Sequence, residues 1–271
     1  MSSGGSTGTS PGGSSEDTYA GARVLVTGAA SGLGAALTRR FRAAGAQVLA
    51  TDVASAGGIH PLDVTSEEDW ATARAKVESE WGGLDVLVNN AGVAGGGRVD
   101  RCTLDEWRRL TEVNLFGVVR GTRTFVPVLK AQRSGRIVNV ASLAGLVHPG
   151  GMGSYNAVKA GVVAFTETLG HELAAYGVTA HVVCPSYFRT NLMDSLQGED
   201  EALGRVMRRL VDDSPTTADD IAAAVLEGVA RGDELIVPDE AARSAYDLKR
   251  TDRPAYDALL RSQAAKLEAM S

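Results

Sequence analysis

Arg23-Val24-Leu25-Val26-Thr27-Gly28-Ala29-Ala30-Ser31-Gly32-Leu33-Gly34 is the stretch whose reading decides the fold. A short apolar run meets a glycine-rich turn, after which Leu33, Ala36, Leu37 and Phe41 recur at helical spacing. The pattern predicts a strand, a tight turn and a helix. Gly28 lets the chain turn, and Gly32 lets backbone N–H groups approach a pyrophosphate. The helix N-terminus turns partial positive charge toward phosphates. The spacing is G-x-x-x-G-x-G, which differs from the G-x-G-x-x-G of the standard dinucleotide fingerprint.

Residues 47–52 read as a second strand that closes a βαβ unit and puts Asp52 at its carboxyl end, eighteen residues beyond Gly34. A carboxylate there accepts both ribose hydroxyls of an adenosine and repels a 2′-phosphate. Neither Ser31 nor Val53 offers a cation to an extra phosphate, so the expected cofactor is NAD rather than NADP.

Further along, 59–64 reads as a third strand and 84–88 as a fourth that runs into Asn89-Asn90-Ala91-Gly92. Small and amide residues at a strand end let a ligand lie close to the backbone. A helix begins after Thr103 and continues past Phe125. Asn114 lies inside it, either as a structural hydrogen-bonding residue or as part of a site. The strand at 135–140 delivers Ser142 at its carboxyl end, and a helix over about 153–176 follows. Tyr155 and Lys159 stand four apart on it, so phenol and ammonium share a face. Tyr155 is the one tyrosine of the chain with a lysine at that spacing. A nearby cation favours the phenolate and is expected to lower the Tyr155 pKa into a range useful for proton transfer. Strands at 178–184 and 234–237 complete a predicted set of seven, with a helix over 216–231 between them.

The 271 residues carry a net charge of −6 and no basic run, which argues against nucleic-acid partners and an anionic membrane surface. No apolar run reaches the length of a membrane span. Cys102 and Cys184 are far apart and fit no metal-ligand spacing, so no metal is expected and a cytoplasmic location is. Residues 1–18 are almost wholly Ser, Gly and Thr. They read as a disordered leader, and a translation start placed too far upstream has the same composition. The remainder, 19–271, reads as one domain, with 186–212 as an irregular polar lid over a cleft. Residues 240–271 form an amphipathic tail, helical in part and a candidate subunit contact.

Taken together, Thr27-Gly28-x-x-x-Gly32-x-Gly34, Asn89-Asn90-Ala91-Gly92, Asn114, Ser142 and Tyr155-x-x-x-Lys159 resemble the short-chain dehydrogenase/reductase family. The resemblance implies a Rossmann-type doubly wound α/β fold with a seven-stranded parallel sheet. It implies Tyr155 as general acid-base, Lys159 on the nicotinamide ribose, Ser142 on the substrate oxygen and Asn114 in a water-linked relay. It also implies a cofactor set of Gly28, Ser31, Gly32, Leu33, Gly34, Asp52, Asp63, Val64, Asn90, Ala91, Gly92, Tyr155, Lys159, Pro185, Phe188 and Thr190. The family commonly has Pro-Gly after the sixth strand, where this chain has Pro185-Ser186. A homotetramer or homodimer is the implied assembly.

The expectation is therefore an oxidoreductase passing hydride between NAD(H) and a small-molecule secondary alcohol or ketone. An NADPH-dependent carbonyl or 3-oxoacyl reductase is the alternative within the family, and a nucleotide-binding sensor without turnover the one outside it. Substrate determinants are expected in 93–102, 143–153 and 186–212. His148 is a candidate contact. Tyr187, Phe188, Leu192 and Met193 are either a substrate wall or lid packing.

Overall fold

A computed structural model describes residues 18–270; all but the last residue of the expected 1–18 leader lies outside the described residues. Seven strands form one sheet: β1 (Arg23–Thr27), β2 (Gln47–Asp52), β3 (His60–Pro61), β4 (Val86–Asn89), β5 (Gly135–Val140), β6 (Val178–Val183) and β7 (Leu235–Ile236). Their order is β3-β2-β1-β4-β5-β6-β7 and every pairing is parallel, the doubly wound arrangement expected. The third strand is shorter than the 59–64 segment read from the sequence.

Both faces of the sheet are covered, which is why its central strands are apolar without alternation. Val24 and Val26 of β1, Val86 and Val88 of β4, and Val138 of β5 point into one core layer. That layer is closed by α1 (Gly32–Ala43) and by a later helix, Ala218–Arg231. Leu25, Leu87 and Ile137, one residue out of phase, point into the other with Trp70 and Phe125. Those two aromatics come from α2 (Glu67–Trp81) and α4 (Gly117–Gln132). Ser66 caps α2 by accepting from the Asp69 N–H, and Gly82 ends it at φ +67°.

The helix expected from Thr103 through Phe125 is in fact three segments: α3 (Leu104–Thr111), a π-turn at Glu112–Phe116, and α4. Thr103 and Glu106 form a capping box at its start. The short α5 (Ala144–Val147) leads to α6 (Gly153–Leu173).

One expectation needs correction. The 186–212 segment is not irregular throughout. It holds a 3-10 turn at Asn191–Ser195 and a full helix, α7 (Glu201–Asp212), which buries Ala202, Leu203, Met207 and Val211. Its charged residues occupy the outward face of an amphipathic helix, and polarity counted along the chain hid that periodicity. After α8 (Ala218–Arg231), the tail is a pair of helices, α9 (Glu240–Thr251) and α10 (Arg253–Glu268). Tyr256 and Leu267 pack into the protein's own core layers, so at least that part of the amphipathic face is covered by this chain.

Candidate active site

The site forms at the carboxyl ends of β1 and β4, where the strand order reverses direction. Thr27 Oγ1 accepts the N–H groups of Asn90 and Ala91, both at 3.0 Å, and donates to the Val88 carbonyl. Asn90 Nδ2 donates back to the Thr27 carbonyl at 2.9 Å. These bonds hold the two loops side by side over a cavity of about 990 Å³.

One end of the cavity is lined by Gly28, Ser31, Gly32, Leu33, Asp52 and Val64. Gly28 and Gly32 adopt φ +67° and +51°, and neither has room for a side chain. A Cβ on Gly28 would lie 2.8 Å from Ala91 Cα, and one on Gly32 would lie 2.6 Å from Thr190 Oγ1. The Asp52 carboxylate is held by the N–H groups of Ala30 at 2.9 Å and Ala54 at 3.2 Å. Asp63 is exposed on the rim, and its Oδ1 accepts the Thr65 N–H and hydroxyl.

Asn90, Ala91, Gly92, Phe188 and Thr190 also line the cavity. Gly34 and Pro185 do not. Gly34 packs α1 against the turn, where a Cβ would meet the Gly28 carbonyl at 2.0 Å. Pro185 is buried behind the wall and accepts the Leu143 N–H at 2.9 Å. Both support residues that do face the cavity.

Midway along the cavity stand Ser142, Tyr155, Lys159 and Asn114. Asn114 is fully buried in the π-turn; its Oδ1 accepts the Val93 N–H at 2.9 Å and its Nδ2 donates to the Val93 carbonyl at 3.0 Å. The two readings left open for Asn114 therefore meet in one residue, which hydrogen-bonds structurally and borders the cavity. Lys159 Nζ donates to the Val140 carbonyl at 3.0 Å and lies 5.8 Å from the centre of the Tyr155 ring.

The electrostatics correct one expectation. Burial pushes the Tyr155 phenol up to about 12, with its hydrogen bond to Ser142 acting in the opposite direction. Burial also drives Lys159 down to about 8. The protein by itself thus favours the neutral phenol. Desolvation is the largest cause at each group, and it acts against both the phenolate and the ammonium.

His148 is not on the cavity. Its Nε2 pairs with the Gly145 carbonyl and its Nδ1 with Lys249 Nζ. Burial and the Lys249 charge both lower its pKa. Tyr187, Leu192 and Met193 line the cavity and also pack with Met152 and Leu203, so both features named for them, wall and packing, are present.

Sequence reasoning missed Leu248, Tyr256, Leu259, Leu260 and Gln263, which come from α9 and α10 and close the far end. The i, i+3, i+4, i+7 spacing from Tyr256 showed an apolar helix face but not what the face covers. Three ties hold this part in place. Ser186 bonds to Asp239 at the start of α9, Arg98 bridges Asp200 and Glu268, and Tyr256 Oη donates to the Val147 carbonyl.

Fold and site together define a nucleotide-dependent oxidoreductase of the α/β class. The family described as "short chain dehydrogenase" matches residues 22–201, and the chain belongs to it. It is 32% identical to the 3-oxoacyl-[acyl-carrier-protein] reductase FabG of Escherichia coli (strain K12), over 68% of this chain and 80% of that protein. A short-chain dehydrogenase/reductase from Burkholderia phymatum in complex with NAD superposes with a TM-score of 0.80. It is 28% identical, over 87% of this chain and 95% of that one. A short-chain dehydrogenase from Burkholderia cenocepacia J2315 in complex with NADP gives a TM-score of 0.76 at 28% identity, over 89% and 98% of the two chains.

Proposed function

We propose that this oxidoreductase is NAD-dependent and interconverts a secondary alcohol and a ketone. The observation that carries the reading is one cavity lined both by the glycine turn with the Asp52 carboxylate and by Ser142, Tyr155 and Lys159. The turn's steric fit supports a dinucleotide there, because at Gly28 and Gly32 any side chain would occupy the ligand-facing cradle or strike its frame. Asp52 supports NAD through its fit to the ribose hydroxyls and its repulsion of a 2′-phosphate.

Bound NAD supplies the acceptor for the hydride, two electrons and one hydrogen nucleus, that leaves the carbinol carbon. Tyr155 Oη takes the hydroxyl proton in the same oxidation and returns it in the reverse reduction. Ser142 Oγ hydrogen-bonds the substrate oxygen. Lys159, anchored on Val140, puts positive charge behind the phenol and is mostly protonated at neutral pH. Tyr155, raised by burial, is where positive charge from an oxidised nicotinamide would favour the phenolate. The Asn114 side chain is committed to Val93, leaving its main chain as the part a water-linked relay uses.

The cofactor set proposed for this chain keeps Ser31, Leu33, Asp63, Val64, Asn90, Ala91, Gly92, Phe188 and Thr190 beside the glycine turn. A homodimer or homotetramer in the cytoplasm goes with the reading, and the two free cysteines suit that compartment. The similarity to a 3-oxoacyl reductase supports a second reading, an NADPH-dependent reductase.

Parallel thermal-shift titrations with NAD and NADP separate the two, because ligand at about a hundred times its dissociation constant adds roughly 2.7 kcal/mol. Stabilisation by NAD, with NADH formed from secondary alcohols, is expected. Stabilisation by NADP alone moves the protein to the reductase reading. Tyr155→Phe is expected to keep the dinucleotide response and lose about 10²-fold or more in turnover.

A further inference from the structure

Resting on the alcohol-ketone reading above, we infer that the substrate is an uncharged, largely apolar molecule whose body lies against the C-terminal helices α9 and α10. The first ground is charge. Among the described residues that line the cavity, Lys159 is the sole basic side chain; no Arg or His faces it. Lys159 is already committed to Val140 beneath Tyr155. A carboxylate brought beside Tyr155, away from the glycine turn, meets no Arg or His to replace its water, and Asp194 on the lining repels it.

The second ground is the wall. Met152, Met193, Met207, Leu248, Leu259 and Leu260 face the substrate end of the cavity. Methionine side chains adapt to varied apolar shapes and offer no directed hydrogen bond to a polyol. Polar side chains on the same lining, Asn191, Asp194 and Gln263 among them, are outnumbered by apolar ones, so a polyhydroxy substrate gives up hydrogen bonds to water that the wall replaces only in part.

The third ground is where the wall comes from. The family match ends at residue 201, while Met207, Leu248, Leu259 and Leu260 all lie beyond it. Met152 and Met193 lie within the matched residues, so the wall joins family sequence to the C-terminal part of the chain. That part is tied to the catalytic end at both of its extremities. Asp239 holds Ser186, and Glu268 holds Arg98. Leu259 lines the cavity yet is 45% exposed, so apolar surface there is left for a longer substrate to cover.

The test is a homologous series from 2-butanol to 2-octanol, with 3-hydroxybutyrate and glucitol alongside, assayed with NAD and NADP both present. Specificity, kcat/KM, is expected to rise by up to about fourfold per added methylene, the value of burying one CH₂. The hydroxy acid and the polyol are expected to be at least about tenfold poorer than 2-butanol. Leu259→Glu, at a position the fold leaves half open, is expected to shrink the preference for 2-octanol over 2-butanol. A flat series, or preference for the hydroxy acid or polyol, overturns the inference.

If no probe turns over, the alcohol-ketone reading fails. Calorimetric titration of the dinucleotide-saturated protein with 2-butanone and 2-octanone then decides the inference separately. Tighter binding of 2-octanone, weakened in Leu259→Glu, supports it, and equal or absent binding of the two ketones rejects it.

Discussion

Ser186 Oγ lies 2.5 Å from Asp239 Oδ1, and the Ser186 N–H donates to Oδ2 of the same carboxylate at 2.9 Å. Asp239 is 8% exposed and also accepts the Ala242 N–H at 2.8 Å, capping α9. The serine that stands where the family commonly has glycine thus joins the loop after β6 to the C-terminal helix pair. Ser186→Gly removes a hydrogen bond to a charged acceptor and is expected to cost about 1.5–3 kcal/mol. Asp239→Ala also removes the cap and is expected to cost more. Urea denaturation of both variants checks the order; an unchanged midpoint in Ser186→Gly would show that the tie contributes nothing to stability.

Lys159 gives stability an alkaline signature. Its pKa is about 8 in the folded protein against an ordinary value of 10.5 in the unfolded chain, so between those values the unfolded chain binds more protons and stability rises with pH. Several groups oppose this. Burial raises Cys184 from 9.0 to about 12 and Tyr155 and Tyr19 from 10.0 to about 12, Tyr187 and Tyr256 are raised as well, and each removes stability as pH climbs past its unfolded value. The net expectation is a rise between about pH 8 and 9, at most about 1.4 kcal/mol per pH unit, followed by a fall. Lys159→Met should keep the fall and lose the rise. Denaturation midpoints across that range, with the two proteins behaving alike, would count against a lysine that titrates near 8.

Arg98 meets Asp200 through two side-chain bonds of 2.8 Å and its own N–H at 3.0 Å, and reaches Glu268 at 3.0 Å. The cluster ties the loop after β4 to the start of α7 and the end of α10. The guanidinium holds the Asp200 carboxyl at about 2, below its usual 3.8. Its contribution is full above about pH 4 and is lost as pH falls toward 2. Arg98→Ala strands a buried carboxylate and is expected to lower the melting temperature and expose α7 to limited proteolysis. Melting curves from pH 5 down to about 2 should converge for the two proteins, and parallel curves would argue that Asp200 is not the linked group.

Gly32→Ala is expected to separate cofactor affinity from folding. The new Cβ would sit 2.6 Å from Thr190 Oγ1 at a backbone φ of +51°. Thr190 is half-buried in a surface loop and can move, so the cost falls on the cradle more than on the core. Dinucleotide affinity is expected to drop by about tenfold or more with stability changed by about 1 kcal/mol. Isothermal titration with NAD measures it, and unchanged affinity would mean that the cradle does not close on the ligand at Gly32.

The strand-turn-helix at 23–41, the seven strand segments and the Tyr155–Lys159 spacing were legible because each is a local pattern, a short apolar run bounded by turns or a repeat of about 3.6. Asp52 was legible for a related reason, since a strand's end fixes where its last side chain stands. Asn114 was seen but not placed, because the π-turn that aims it at Val93 has no sequence period of its own.

By itself the sequence determined the parallel sheet, the glycine turn and the residues that meet at the carboxyl ends of the strands. Tertiary structure alone decided that α9 and α10 fold back over the substrate end, that Ser186 and Asp239 join across 53 residues, and that Tyr155 and Lys159 are buried. The physical reason is range. Propensity and periodicity act within a few turns of chain, whereas burial, and the pKa changes that follow from it, depend on which distant surfaces come together.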